Sequence, residues 1–188
     1  MRVIAGKYRS RPLRSLPGLD TRPTADRLRE TLFNVLTAAD PNALEGTVWL
    51  DLFAGTGAVG IEALSRGAGR VYFVESSAAA ADLVRQNLQK LGVESGFQIL
   101  RQEAVRALHE LEKQAVVADL VFLDPPYRLS AAYAATLGAL SKSGLLNPNS
   151  LVIAEHEKRF DPGEEFGALR RYRKLEQGDS ALGFYRAK

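Results

Sequence analysis

Cysteine is absent from these 188 residues, histidine occurs only at positions 109 and 156, and no apolar run reaches the length of a membrane span. Without thiols there is no disulfide framework, and two well-separated imidazoles make no zinc site, so neither a metal nor a covalent staple is expected. The short apolar runs and the lack of a signal-peptide core lead to the expectation of a cytoplasmic protein with no membrane attachment. Acidic residues are missing from positions 1–19, which hold Arg2, Lys7, Arg9, Arg11 and Arg14. The net charge of +3 therefore divides into +5 in this segment and −2 in the rest. A local basic patch points to a polyanion, against the plainer alternative of an edge strand that uses charge to discourage aggregation.

What is present is organised around Val48-Trp-Leu-Asp-Leu-Phe-Ala-Gly-Thr-Gly-Ala-Val-Gly60. Apolar residues enter a glycine-rich turn and leave it in a helical pattern, as a strand, a tight loop and a helix would. Gly55 and Gly57 can take positive φ and let a ligand approach, while Gly60 allows close helix–strand packing. With Glu75 twenty residues after Gly55, the spacing also fits a dinucleotide fingerprint. Asp51 shifts the balance, because a carboxylate beside the loop repels a pyrophosphate and welcomes a cation. S-adenosylmethionine carries an ammonium and a sulfonium and no phosphate. The alternative is that Asp51 only ties down the glycine turn.

A second stretch, Val121-Phe-Leu followed by Asp124-Pro125-Pro126-Tyr127, reads as a buried strand ending in a stiff, extended backbone. Two prolines surrender their N–H donors, so carbonyls and a carboxylate are left as acceptors beside an aromatic face. Such a surface suits a planar ring bearing an exocyclic amino group.

Taken in order, residues 1–19 read as short strands in which basic and apolar side chains alternate, Tyr8 adding a stacking face for RNA. A helix is expected from Arg22-Pro-Thr24, with Thr24 as N-cap and Leu28, Leu32, Val35 and Leu36 as its apolar stripe. Arg27, Glu30 and Asn34 share another face. Strands are expected at 70–75, 97–101, 119–123 and 151–156, and helices at 78–91, from 104 to about 114, and at 130–143. Glu75 ends a strand, where its carboxylate can accept from ribose hydroxyls. Glu103 and Ala104 sit at the next strand-to-helix junction, where Glu103 either meets an adenine amino group or caps the helix. His156 reads as a structural, hydrogen-bonded histidine. Residues 169–176 and 180–186 form a hairpin across Gly178-Asp179. The alternation argues one α/β sandwich with a mostly parallel sheet.

These motifs, together with Arg29-Glu30-Thr31-Leu32-Phe33-Asn34 and the closing Ala181-Leu-Gly-Phe-Tyr185, resemble the class I S-adenosylmethionine-dependent methyltransferases. More narrowly the chain is similar to bacterial 16S rRNA guanine-N2 methyltransferases of the RsmD type. The short Asp-Pro-Pro-Tyr motif is shared with DNA adenine methyltransferases, and the Arg-Pro-Thr helix is the more specific element. The resemblance implies a Rossmann-like α/β sandwich with a seven-stranded, mostly parallel sheet, one antiparallel strand and a small N-terminal β-hairpin arm. One domain is expected over residues 1–188, divided into the arm (1–20), a helix over the active site (21–39) and the catalytic core (45–188). The resemblance implies that Asp51, Phe53, Ala54, Gly55 and Gly57 hold the methionine part of S-adenosylmethionine, Glu75 the ribose, and Glu103 with Ala104 the adenine. It assigns Asp124, Pro125 and Tyr127 to catalysis, and Arg2, Lys7, Arg9, Arg11, Arg14, Arg22, Arg27 and Asn34 to substrate. It further implies a monomer that acts on 16S rRNA within a small ribosomal subunit and its proteins. The rivals are a DNA adenine-N6 methyltransferase, for which the chain lacks room for a target-recognition insertion, and a non-catalytic RNA-binding or assembly factor.

Overall fold

The computed structural model describes residues 1–15, 23–126 and 129–188, and for 23–25 the backbone alone. Arg22 and Tyr127, two of the expected site residues, lie outside them. A helix, α1 (Pro23–Leu36), precedes five β-strands in parallel: β1 (Val48–Leu52), β2 (Arg70–Val74), β3 (Phe97–Leu100), β4 (Ala118–Leu123) and β5 (Leu146–Glu157). Between them come α2 (Ala58–Ser65), α3 (Ala78–Leu91), α4 (Ala104–Lys113) and α5 (Ser130–Leu140). β6 (Glu165–Phe166), β7 (Leu169–Gln177) and β8 (Ser180–Ala187) complete one sheet in the order β3-β2-β1-β4-β5-β8-β7-β6.

The strand interiors are apolar on both sides because helices cover both faces. One core cluster joins Trp49, Phe73, Phe122, Ile153 and Phe184 to α1, α2, α3 and the N-terminal arm, and the other joins Leu50, Val74, Leu123, Ala154 and Tyr185 to α4 and α5. Burying each of the larger aliphatic and phenylalanine side chains among them contributes about 1.5–3 kcal/mol. Within α1, Leu28, Leu32 and Phe33 are all buried, and Phe33 stacks on Trp49 with ring centroids 5.5 Å apart. α3 runs from Ala78 to Leu91, as its sequence pattern requires: the Ser77 hydroxyl accepts the Ala80 N–H, and Gly92 closes the helix at a φ of 73°.

The sheet has eight strands rather than seven, and two of them, β6 and β8, run against the others. The extra strand is a two-residue edge piece that extends the expected C-terminal hairpin. The arm doubles back as a reduced hairpin, in which Val3 N–H donates to the Arg11 carbonyl at 3.0 Å, Leu13 N–H to the Met1 carbonyl at 3.2 Å and Ser10 N–H to the Val3 carbonyl at 2.9 Å. Within residues 1–15 the one ladder contact is an antiparallel bridge between Arg2 and Pro12. Other backbone groups of the arm are spent on α2: Ile4 and Ala5 donate to the Glu62 carboxylate at 2.7 and 2.9 Å, Lys7 N–H to the Ser65 carbonyl and Tyr8 N–H to the Ser65 hydroxyl. Gly6, at a φ of 78°, permits this approach, since a Cβ there would lie 1.8 Å from the Ser65 carbonyl oxygen. Thr24 is not the N-cap of α1. The helix already includes Pro23, whose missing N–H costs nothing in a first turn.

Candidate active site

The strand order reverses between β1 and β4, because the chain leaves β3 at one edge and returns to pair β4 with β1. In such sheets ligands lie outside the carboxyl ends of the strands at that switch. Asp51 is at this edge in β1, Asp124 directly follows β4, and Glu155 is near the end of β5. Leu123 pairs with Ala154, so Asp124 and Glu155 occupy the next positions on adjacent strands. By alternation, Asp51, with Phe73 and Phe122 as register partners, and Glu155, opposite Leu182, share the face that carries α1 and the arm.

The glycine loop is held by its own carboxylates. Asp51, 2% exposed, accepts the Gly60 N–H at 2.8 Å. It does tie down the turn, but with one oxygen, leaving the other without a hydrogen bond among the described residues. Glu75 accepts the Gly55 N–H at 2.9 Å and the Ser77 N–H at 2.8 Å, which fixes its carboxylate at the end of β2. Phe53 adopts a φ of 63°, and Gly55 and Gly57 follow at 55° and 77°. For phenylalanine this backbone is strained by about 1–3 kcal/mol, which a surrounding structure sustains most often at binding sites. Gly60 is needed for packing, because a Cβ would meet the Phe73 ring at 2.3 Å.

No Lys or Arg neutralises Asp51, Asp124 or Glu155 among the described residues. Burial, opposed by the Gly60 bond and helped by the charges of Asp124 and Glu75, pushes the Asp51 carboxyl up to about 8. Burial raises Asp124 as well, and burial together with the Asp124 charge raises Glu155 well above the usual carboxylate range. Three carboxyl groups that resist ionisation at one edge form a site that a cation relieves and a pyrophosphate aggravates. Among the described residues no N–H donates to the Pro125 carbonyl, while the Pro126 carbonyl takes the Leu129 N–H at 2.7 Å. Glu103 stands at the N-cap position of α4 with an exposed side chain that makes no capping bond, so the capping alternative fails.

A family model described as conserved hypothetical protein 95 matches residues 1–186. The ribosomal RNA small subunit methyltransferase D of Haemophilus influenzae is 38% identical over 159 residues, 84% of this chain and 79% of its own. Its Escherichia coli K12 namesake is 36% identical, over 84% of this chain and 75% of its own. The chain belongs to the RsmD-type methyltransferase family. The fold agrees: the structure of a hypothetical protein from Thermus thermophilus matches this methyltransferase with a TM-score of 0.81 at 29% identity, covering 98% of both chains.

S-adenosylmethionine is a cofactor whose chemistry these residues fit: Asp51 would face its cationic groups, Glu75 would accept from the ribose hydroxyls, and Glu103 would offer an uncommitted carboxylate to the adenine amine. The expected substrate residues that the structure describes fall into three groups. Arg2 and Arg9 of the arm meet Arg27, Asp26 and Glu30 of α1 around one cavity of about 390 Å³. Arg11 and Arg14 turn to α3 instead, donating to the Lys90 carbonyl at 3.1 Å and the Gln86 side chain at 3.0 Å. Lys7 and Asn34 are exposed and line no part of that cavity. The Tyr8 ring packs against the core and has Lys7 5.3 Å above it, so it is not the free stacking face expected. His156 is fully buried with Nδ1 2.8 Å from the Glu157 carbonyl, a structural histidine.

Sequence reasoning missed three residues. Glu155 stood beside the more conspicuous histidine, and only the pairing of β4 with β5 sets it next to Asp124. Glu62, fully buried, anchors the arm while accepting from Arg66 at 2.8 Å. Asn87 on α3 is fully buried too: it accepts the Arg14 N–H and donates to the carbonyls of Arg14 and Thr56, tying the arm to the glycine loop. A polar residue on a helix face carries no sequence signal for such a role.

Proposed function

We propose that this methyltransferase acts on ribosomal RNA, transferring a methyl group from S-adenosylmethionine to the exocyclic N2 of a guanine in 16S rRNA, on a small subunit still being assembled. The observation that carries the reading is the surface of Asp124 and Pro125, rich in acceptors, at a carboxyl-lined strand edge on the sheet face that bears the basic arm. When bound, S-adenosylmethionine supplies an electrophilic methyl on a sulfonium.

The amine of guanine is a poor nucleophile because its lone pair is delocalised into the ring. The Asp124 carboxylate and the Pro125 carbonyl each accept one N2–H bond, which draws the lone pair out of conjugation and aims it. Orientation of this kind supplies several kcal/mol. The proton that N2 releases passes to the Asp124 carboxylate, whose buried setting raises its proton affinity, with Glu155 next to it on β5. Tyr127 provides the aromatic face for the base, worth about 1–3 kcal/mol. The target base must be unpaired or flipped to reach the edge of the sheet.

The test is transfer of labelled methyl to small subunits that lack their own guanine-N2 modification, followed by nucleoside analysis. Label in N2-methylguanosine is expected. The Asp124→Ala variant should keep cofactor affinity within a few fold and lose turnover on the order of a hundredfold or more. Label on DNA adenine with none on rRNA would discard the substrate assignment, and undiminished turnover by Asp124→Ala would discard the mechanism. RNA binding that is indifferent to cofactor, without transfer, would return the protein to the assembly-factor reading.

A further inference from the structure

The register of β7 against β8 slips between Arg171 and Arg173, so that Tyr172 and Arg173 both fall opposite Phe184. An unbroken strand would send these neighbours to opposite faces, whereas a bulge re-aims one of them. Here both lie over the same floor: the Tyr172 ring is 6.4 Å from that of Phe184, and the Arg173 guanidinium is 5.6 Å from the Phe184 centroid. Arg186, two residues along on the same face of β8, covers the Tyr172 ring at 4.8 Å. Phe184 is fully buried, while Tyr172 is 52% exposed.

Most cations of these strands are engaged. Arg170 and Lys188 pair with Glu165, Lys174 with Glu176, and Arg171 with Asp161. Arg173 and Arg186 have no acidic partner among the described residues. Charge along a sheet edge discourages pairing with another sheet, and the paired cations already serve that end. Edge protection does not call for an exposed aromatic ring set among unpaired guanidinium groups.

We propose that Tyr172, Arg173 and Arg186 form a second RNA platform, on which an unpaired base stacks while the flanking phosphates meet the two guanidinium groups. The proposal rests on the reading of RNA as substrate. Bases stack on aromatic rings and on guanidinium planes alike, and a Tyr–Arg pair offers both beside positive charge. The platform lies on the sheet face of the arm and α1, as Phe184 and Leu182 share a core cluster with Val3, Leu13 and Leu28. Phe184 pairs with Ile153, two residues before Glu155 and one strand away. That spacing sets the platform on the order of 10–15 Å from the carboxyl edge, within reach of the same RNA strand.

The full-length protein carrying Tyr172→Ala, or Arg173→Gln together with Arg186→Gln, is titrated with deproteinised small-subunit rRNA over a range of salt. Affinity for S-adenosylmethionine is measured alongside and should be unchanged throughout. Tyr172→Ala is expected to weaken RNA binding by roughly five- to a hundredfold with the salt slope intact. The double arginine variant should flatten the slope of log K against log salt by about 1.4, the share of two single-strand phosphates. Wild-type affinity and slope in both variants overturn the platform. So does slower methylation of intact subunits with unaltered binding to naked rRNA, which would mark a protein partner. Wild-type protein that loads cofactor but neither binds nor methylates rRNA would sink the functional reading and the platform together. Sensitivity to Arg9→Gln without sensitivity at the platform would sink the platform alone.

Discussion

Replacing Asp51 by asparagine separates what its carboxylate costs the fold from what it gives the site. The amide keeps a carbonyl oxygen for the Gly60 N–H, now accepted at 2.8 Å, and removes only the titration. In the folded protein the Asp51 carboxyl is raised from 3.8 to about 8, mainly by burial. Between those two values the folded state binds a proton that the unfolded chain has released, so stability is greatest below the lower one and falls as pH rises through the window. The linkage relation puts the penalty at about 4 kcal/mol at pH 7 and somewhat under 2 kcal/mol at pH 5. Denaturation of cofactor-free protein should therefore show the wild type losing about 2.5 kcal/mol more than Asp51→Asn between pH 5 and pH 7. That difference corresponds to roughly 5–10 °C in Tm for a chain of this size. Asp124 and Glu155 add slope of the same sign to both proteins, and the difference between them isolates Asp51. Cofactor binding should move the other way. The variant loses a charged acceptor for a cationic ligand and binds about ten- to a hundredfold more weakly, while wild-type affinity climbs from pH 6 to pH 8 as the carboxyl ionises. Parallel stability profiles for the two proteins would refute the buried-carboxylate argument.

Glu62→Ala leaves the Ile4 and Ala5 amides and Arg66 without their shared acceptor, and the fold should lose about 2–4 kcal/mol as the arm comes away from α2. Hydrogen exchange at Ile4 and Ala5 reads this directly, and amides protected as in the wild type would show that Glu62 does not anchor the arm. Asp124→Asn removes the charge that faces Glu155, so the Glu155 carboxyl ionises at lower pH than in the wild type. A Glu155 titration, followed by carboxyl NMR, that stays in place would uncouple the two groups.

The order of elements, the helical span 78–91, the C-terminal hairpin across Gly178-Asp179 and the glycine loop were all legible along the chain. Each depends on interactions only a few residues long: the period of apolar positions, a serine cap, and a φ that favours glycine. The strand-end positions of Asp51, Glu75, Asp124 and Pro125 were legible too, because they sit beside turns whose residue types announce them. The failures in the arm share one cause. Tyr8 read as a free stacking face, yet the arm is held on α2 by hydrogen bonds to Glu62 and Ser65 some 57–60 residues away. No local pattern records such a bond.

The sequence by itself determined the α/β alternation and the loop chemistry of this methyltransferase, since backbone preference and hydrophobic period act between near neighbours. Only the tertiary structure decided that Glu155 stands beside Asp124, that Asn87 joins the arm to the glycine loop, and that a bulge turns Tyr172 and Arg173 to one face. Strand register and desolvation belong to the assembled sheet, and they are what convert three ordinary carboxylates into an edge that draws in a cation.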